Sequence, residues 1–280
     1  MQSAARQALL ALYAAPDPAH PSQAIPGYDQ EHAERTTRIV LLLAHELGLD
    51  PKWLADLEAT CLLHDLGRVG MDPTLFGRIF TLAEAHGIPV RIRPFLARYP
   101  DVTEANAPKR FLELLSPHLQ AAGLAPDADV KAHIAMRMDF KGQLRHFLAQ
   151  ARPLLATHGI VVHPWMEAVM LYYYYPDGMR GQSPDVRLMG EMLVACENFE
   201  AYNNARRGRD YYGRTAEQLK AVFSSLDRFV AEGLVSERVM TALRRLTASG
   251  KLDAIVIASR GLPPGTPLPA ADLAFQRTLA

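Results

Sequence analysis

Only two cysteines, Cys61 and Cys196, occur in the 280 residues. That is too few for a disulfide framework, and no secretory leader is read ahead of them, so a reducing cytoplasm is the expected setting. Long apolar runs are also missing. Apolar runs such as Ile39 to Ala44 and Ala168 to Tyr175 fall well short of the ~20 residues a spanning helix needs, so no membrane partner is expected. Neither sign of charge is in excess, because 30 Lys and Arg balance 30 Asp and Glu. General attraction to a nucleic-acid duplex or an anionic membrane surface is therefore not expected, and an anionic ligand must be held by local charge. Alternating strand patterns and internal repeats are absent as well.

The chain does carry helical periodicity, punctuated by proline and glycine. Met1 to Ala15 reads as a short amphipathic helix, and Pro16, Pro18, Pro21 and Pro26 then force an extended connector. Asp29 is a good N-cap for a long helix to Leu47, with Gly48 beyond its end. Asp50-Pro51 starts a second helix that ends near Gly67. Residues 72 to 86 predict another helix, Gly87 to Pro108 reads as irregular, and helices resume at 109 to 122 and 127 to 157. Pro164 launches a segment through Tyr175, broken by the turn Pro176-Asp177-Gly178. Asp185 to Asn204 is again periodic, and helices at 215 to 232 and 236 to 249 are capped by Thr215 and Ser236. The proline-rich tail from Gly261 reads as extended. The expectation is an all-α protein: a helix and connector over 1–26, one helical domain over 27–250, and an extended tail over 251–280.

Chemistry concentrates at Leu62-Leu63-His64-Asp65-Leu66-Gly67-Arg68, where an imidazole and a carboxylate stand side by side in apolar surroundings. Such a pair must be compensated, by a metal ion or by a His-Asp hydrogen bond in the core. On a helix, residues about 100° apart lean toward one point, with Arg68 one turn further on the same side. A hairpin at Gly48 to Pro51 sets His32 opposite His64. Glu197, an acid inside the apolar face Val194 to Ala201, is the fourth candidate. Two imidazoles and two carboxylates form a nitrogen and oxygen set suited to iron, manganese, nickel, zinc or magnesium.

Here the chain resembles the HD superfamily of metal-dependent phosphohydrolases, in which a His, an adjacent His-Asp and a distant Asp lie on helices. Its HD-GYP branch is the nearer likeness. His64-Asp65-Leu66-Gly67-Arg68-Val69-Gly70-Met71 is similar to HD-[IL]-G-K-[IV]-G-[IV], with Arg68 at the phosphate-contacting Lys. Leu188 to Ala201 is similar to P-L-x-A-R-I-L-x-V-A-D-x-F-D-A, which puts Glu197 on the metal-binding Asp. Asn203-Asn204-Ala205-Arg206 and the helices ending in Arg238 to Leu246 also match, so the likeness runs from Gly27 to Leu246. The middle departs from the pattern. Tyr172-Tyr173-Tyr174-Tyr175-Pro176-Asp177-Gly178 stands where the branch has H-H-E-x-x-D-G-S-G-Y-P, and an Arg- and Pro-rich stretch is inserted before it.

The resemblance implies an HD-type helical bundle with a helical and irregular insertion, holding a divalent metal on His32, His64, Asp65 and Glu197. It implies hydrolysis of a phosphomonoester or phosphodiester by metal-activated water, with Asp65 and Arg68 catalytic. The ligand would be a phosphate-containing small molecule or nucleotide, and cyclic dinucleotides in bacterial signalling are the branch's characteristic case. Two further readings stand beside it: a degenerate, non-catalytic protein that binds a nucleotide or partner protein, favoured by the altered tyrosine motif and by Glu197 in place of Asp, and a di-iron oxygenase, a chemistry the resemblance also allows, drawing its missing ligands from His133 or His163. Bland readings stand beside these. Arg68 also suits a helix end, Glu197 suits a salt bridge to Arg206 or Arg207, and the tyrosine run suits a packed face, unless Tyr172 or Tyr173 lines the pocket. His163 and Glu167 have the i, i+4 spacing of paired ligands, and Asp177 is a further pocket candidate. Arg91, Arg93 and Arg98 suit either an anion-collecting rim or a solvated loop.

Overall fold

The computed structural model describes residues 1–16, 20, 22–207 and 215–279. Among them the fold is all-α. In chain order the helices are α1 (Ser3–Ala11), α2 (Gln30–Glu46), α3 (Leu54–Leu63), α4 (Pro73–Ala85), α5 (Ile92–Arg98), α6 (Ala107–Ala121) and α7 (Ala128–Met138). They continue with α8 (Phe140–Thr157), α9 (Pro164–Leu171), α10 (Pro184–Asn203), α11 (Leu219–Ala231), α12 (Glu237–Ala248), α13 (Asp253–Ser259) and α14 (Ala270–Thr278). Strand pairing among the described residues is confined to a two-residue antiparallel clasp, β1 (Ala15–Pro16) with β2 (Ala24–Ile25).

Helix α2 buries one stripe, His32, Thr36, Ile39, Val40 and Leu43, the i, i+4, i+7 rhythm of a helix with one face on the core. His32 opens that stripe, so it points inward with it. Gly48 takes a left-handed φ of +69°, which suits a residue without Cβ. Asp50 then caps the next turn by accepting from the Lys52 amide at 3.0 Å. The resulting antiparallel hairpin sets the start of α2 beside the end of α3. Helix α10 is buried almost all round from Val186 to Ala201 and packs against α2, α9 and α11. It is the central post, and its acids Glu197 and Glu200 are committed to the interior.

Three apolar cores result. The main one joins α2, α3 and α10 to α11–α13 through residues such as Leu43, Leu57, Leu193, Leu226, Leu243 and Val256. A second lies between residues 71 and 138, where Phe76, Phe80, Phe95, Phe111 and Ile134 hold α4 to α7 together. A third packs α1, the end of α3, α8 and α9 through Leu9, Leu62, Leu63, Phe140 and Leu144.

Several sequence expectations are corrected. Helix α3 ends at Leu63 rather than near Gly67, and a 3-10 turn at Leu66–Arg68 follows. The reason is close packing: a Cβ on Gly67 would meet the Phe140 ring at 2.9 Å and the Leu144 amide at 3.0 Å. The stretch 87–108 contains α5, because Ile92 and Phe95 are drawn into the second core. Residues 127–157 form two helices, since Asp139 accepts from the Gly142 amide and starts α8 afresh. Thr215 caps nothing, as α11 begins at Leu219. Ser236 stands at the start of α12 but hydrogen-bonds Glu191 instead. The C-terminal segment is not extended. It carries α13 and α14, and buried Asp272 accepts from the Leu219 amide at 2.7 Å and pairs with Arg260. One carboxylate thus satisfies the start of α11 and ties the tail to the bundle.

Candidate metal centre

The hairpin and the central helix bring three ligand atoms together. His32 at the start of α2, His64 just past α3 and Glu197 on α10 each offer one donor atom, all within 4.8 Å of one another and all buried. The two imidazole rings are 5.4 Å apart, tilted by 55°.

The hydrogen bonds of these histidines fix which nitrogen is free. His64 Nδ1 donates to the Cys61 carbonyl at 2.7 Å. His32 Nδ1 donates to Glu200 Oε2. With Nδ1 of each ring committed as a donor, Nε2 is turned toward the other residues of the cluster, and both Nε2 atoms are buried without a hydrogen-bond partner. This is the outer-shell arrangement that orients imidazoles toward a metal ion. Burial first, then the Arg207 guanidinium, pushes the His32 pKa down to about 4, against the opposing pull of Glu200. Its ring is therefore neutral near pH 7.

Glu200 anchors the arrangement from behind. It is fully buried and accepts from Arg35 Nε at 2.7 Å, Asn204 Nδ2 at 3.1 Å and Ser259 Oγ at 3.1 Å as well as from His32. Burial alone would raise its pKa, but His32 and Arg35 outweigh it and hold the carboxyl down to about 2. Glu197 is the opposite case: among the described residues it makes no hydrogen bond or ion pair, and neither Arg206 nor Arg207 pairs with it. Burial, with the nearby charge of Asp65, raises its pKa.

Asp65 lies between the two rings, its Oδ2 3.6 Å from His32 Nε2 and 3.8 Å from His64 Nε2. That oxygen is also held by Arg68 Nη1 at 2.9 Å and Arg207 Nη2 at 3.1 Å. Burial opposes ionisation, but the two guanidinium groups and the two imidazoles keep the carboxyl well below the usual range. Arg68 also donates to the Tyr174 hydroxyl. It is therefore a buried part of the cluster and not a solvated helix end.

Asp29 is buried but does not cap α2, and neither carboxylate oxygen has a hydrogen-bond partner. Around the cluster, Asp29, Asp65, Glu197 and Glu200 face Arg35, Arg68 and Arg207, so acids outnumber guanidinium groups by one. Together with two bare nitrogen lone pairs, that balance suits a cation. The donor set of His32, His64 and Glu197 thus fits a divalent ion, with Asp65 beside it.

A cavity of about 350 Å³ reaches the cluster at His32 and is lined also by Asp29, Arg35, Arg206, Arg207 and Arg260. A separate cleft of about 620 Å³ lies beyond Tyr174 and includes Arg93, Lys141, Arg145, Glu167 and Asp177.

The other sequence candidates fall away from the ligand cluster. His163 is exposed at the start of α9. Glu167 pairs with Arg145 at 2.6 Å and Asp177 with Arg180 at 2.8 Å, both in or near the second cleft. Tyr172 packs in the main core, and Tyr173 lies edge-on to Phe229 at 5.7 Å. Of the tyrosine run it is Tyr174 that reaches the site, through Arg68. His133 is committed on both nitrogens, accepting from the Asp72 amide and donating to the Asp129 carbonyl. Arg91 lies over the Tyr173 ring. Sequence reading missed Arg207 and Glu200 as site residues. For Glu200 a signal existed: a second acid three residues after Glu197, on the same apolar helix.

No helix among the described residues is long and apolar enough to cross a membrane. No protein-family model, curated protein or solved structure matches this chain.

Proposed function

We propose that this chain is a metal-dependent phosphohydrolase of the HD type, with His32, His64 and Glu197 holding a divalent ion. The observation that carries the reading is the pair of buried Nε2 atoms. Each belongs to a ring whose Nδ1 is tied to a fixed acceptor, and both face an unpaired carboxylate. A bound ion would supply Lewis acidity, lowering the pKa of a water and polarising a phosphoryl oxygen. The protein's own groups account for the rest. Asp65, ionised and gripped by Arg68 and Arg207, stands beside the ligand cluster as a carboxylate that would orient a water there. Arg206, Arg207 and Arg260 in the adjoining cavity meet the negative charge of a phosphate ester.

A second reading, a binding protein without catalysis, is favoured by the same double clamp on Asp65. An oxygen saturated by two guanidinium groups is a weaker ligand and a weaker base. The di-iron reading loses His133 and His163 as sources of additional ligands, since one is committed elsewhere and the other is exposed.

Metal analysis separates these readings. About one ion per chain is expected in the wild type, with loss in His64→Ala plus Asp65→Ala; equal metal content in the two proteins would sink the assignment. Phosphomonoester and phosphodiester screening with manganese or iron then tests catalysis. A metal-loaded protein inactive toward every ester would establish the binding reading in its place.

A further inference from the structure

The Arg-lined cavity holds an acid that the reaction does not use. Asp29 is 4 % exposed and both of its carboxylate oxygens are buried without a hydrogen-bond partner. Its nearest cation, Arg207 Nη2, is 3.8 Å away, beyond hydrogen-bond range. The residue stands where it would cap α2, yet accepts no amide there; it lines the cavity instead, beside His32. A carboxylate with no donor in a buried position is costly; burial accordingly raises the Asp29 pKa against the pull of Arg207, and a donor arriving with a ligand would satisfy the ionised form.

The cavity's other walls say what that ligand carries. Arg35, Arg206, Arg207 and Arg260 stand in those walls; three of them also pair with Glu200, Asp65 and Asp272, and together they suit the phosphate that the phosphohydrolase reading gives the ligand. Its contribution to Asp29 must then be a neutral donor, because an ammonium group would approach four guanidinium groups. A hydroxyl meets both demands. The cavity, about 350 Å³, is at the small end of ligand sites (~300–1,000 Å³), which suits a sugar monophosphate better than a dinucleotide.

We propose that Asp29 is a specificity-determining residue that accepts a hydrogen bond from a substrate hydroxyl, so that the site takes phosphate esters of sugars or polyols. The inference rests on the phosphohydrolase reading and names the substrate class of that site. A pocket built around a hydroxyl rejects an analogue that lacks it, because its own polar group is then left unpaired.

The test is calorimetric titration of the manganese-loaded protein with two non-hydrolysable probes, the phosphonate analogue of ribose 5-phosphate and n-pentylphosphonate. Wild type should bind the ribose probe at least tenfold more tightly. Asp29→Ala should cut that preference to twofold or less, while n-pentylphosphonate binds as well or better, since a negative charge has gone. Asp29→Asn, which keeps a carbonyl acceptor, should retain part of the preference and guards against misfolding of the alanine variant. Equal affinities in the wild type, or a preference that survives in Asp29→Ala, would overturn the proposal while a metal-replete protein leaves the phosphohydrolase reading standing. A protein that takes up no metal and binds neither probe would overturn both.

Discussion

Replacing Glu200 by Gln gives a sharp test of how the cluster is held. The change keeps shape and one acceptor but removes the charge that Arg35, Asn204, Ser259 and His32 all address. It also points an amide donor at a site surrounded by donors. Breaking a buried ion pair by removing one partner costs about 3 kcal/mol or somewhat more. With an unfolding entropy of ~2.1 cal/mol/K per residue over 280 residues, this corresponds to a fall in melting temperature of about 5 °C. Loss of the carboxylate behind His32 should also weaken metal binding by about 10- to 100-fold, the usual effect of removing an outer-shell partner. Thermal unfolding followed by circular dichroism and competitive metal titration read the two effects separately. Glu31→Gln is the control, because Glu31 pairs with the same Arg35 from an exposed position and should cost less than about 0.5 kcal/mol. A Glu200→Gln protein as stable as that control, with unchanged metal affinity, would refute the argument that Glu200 organises His32.

Two other outcomes follow from the geometry. Gly67→Ala should destabilise by about 1–3 kcal/mol, because the new methyl meets Phe140 and the Leu144 backbone; urea unfolding indistinguishable from wild type would show that α8 yields more easily than its packing suggests. Acid should weaken the metal-free protein. His32 has its pKa lowered from 6.5 to about 4 on folding, so the unfolded chain binds more protons in that window. This stability is complete above pH 6.5 and lost as the pH falls toward 4. Glu200, lowered from 4.5 to about 2, contributes stability that is present above 4.5 and lost as the pH falls through 2. Burial raises the pKa of Glu197 and Asp29, which works the other way, so the His32 contribution is read as a difference: between pH 7.5 and 4.5 the chelator-treated wild type should lose roughly 2–3 kcal/mol more than His32→Gln by urea titration, and parallel profiles would contradict the burial of His32 as a neutral ring.

Local chemistry made much of this protein legible. Helical periodicity with Pro and Gly punctuation placed the α2–α3 hairpin and the central helix α10, because those signals act over a few residues and do not depend on what packs against them. His64, Asp65 and Glu197 stood out because each interrupts an apolar stretch, while His32 and Arg68 followed from the hairpin and from helical spacing. What the sequence could not carry were relations between distant segments. Asp29 had the credentials of a cap, yet its place beside Arg207 leaves it facing a cavity. Tyr172 and Tyr173 were the pocket candidates, yet the packing of α9 against α10 and α8 brought Tyr174 to the site instead. The clamp of Arg207 on Asp65 joins residues 142 positions apart, and the seat of Asp272 under α11 joins residues 53 apart. Composition and local pattern thus determined the helices and the residue types of the site. Only the tertiary fold decided which charges meet, because burial makes each buried ionic group find its partner in space and not along the chain.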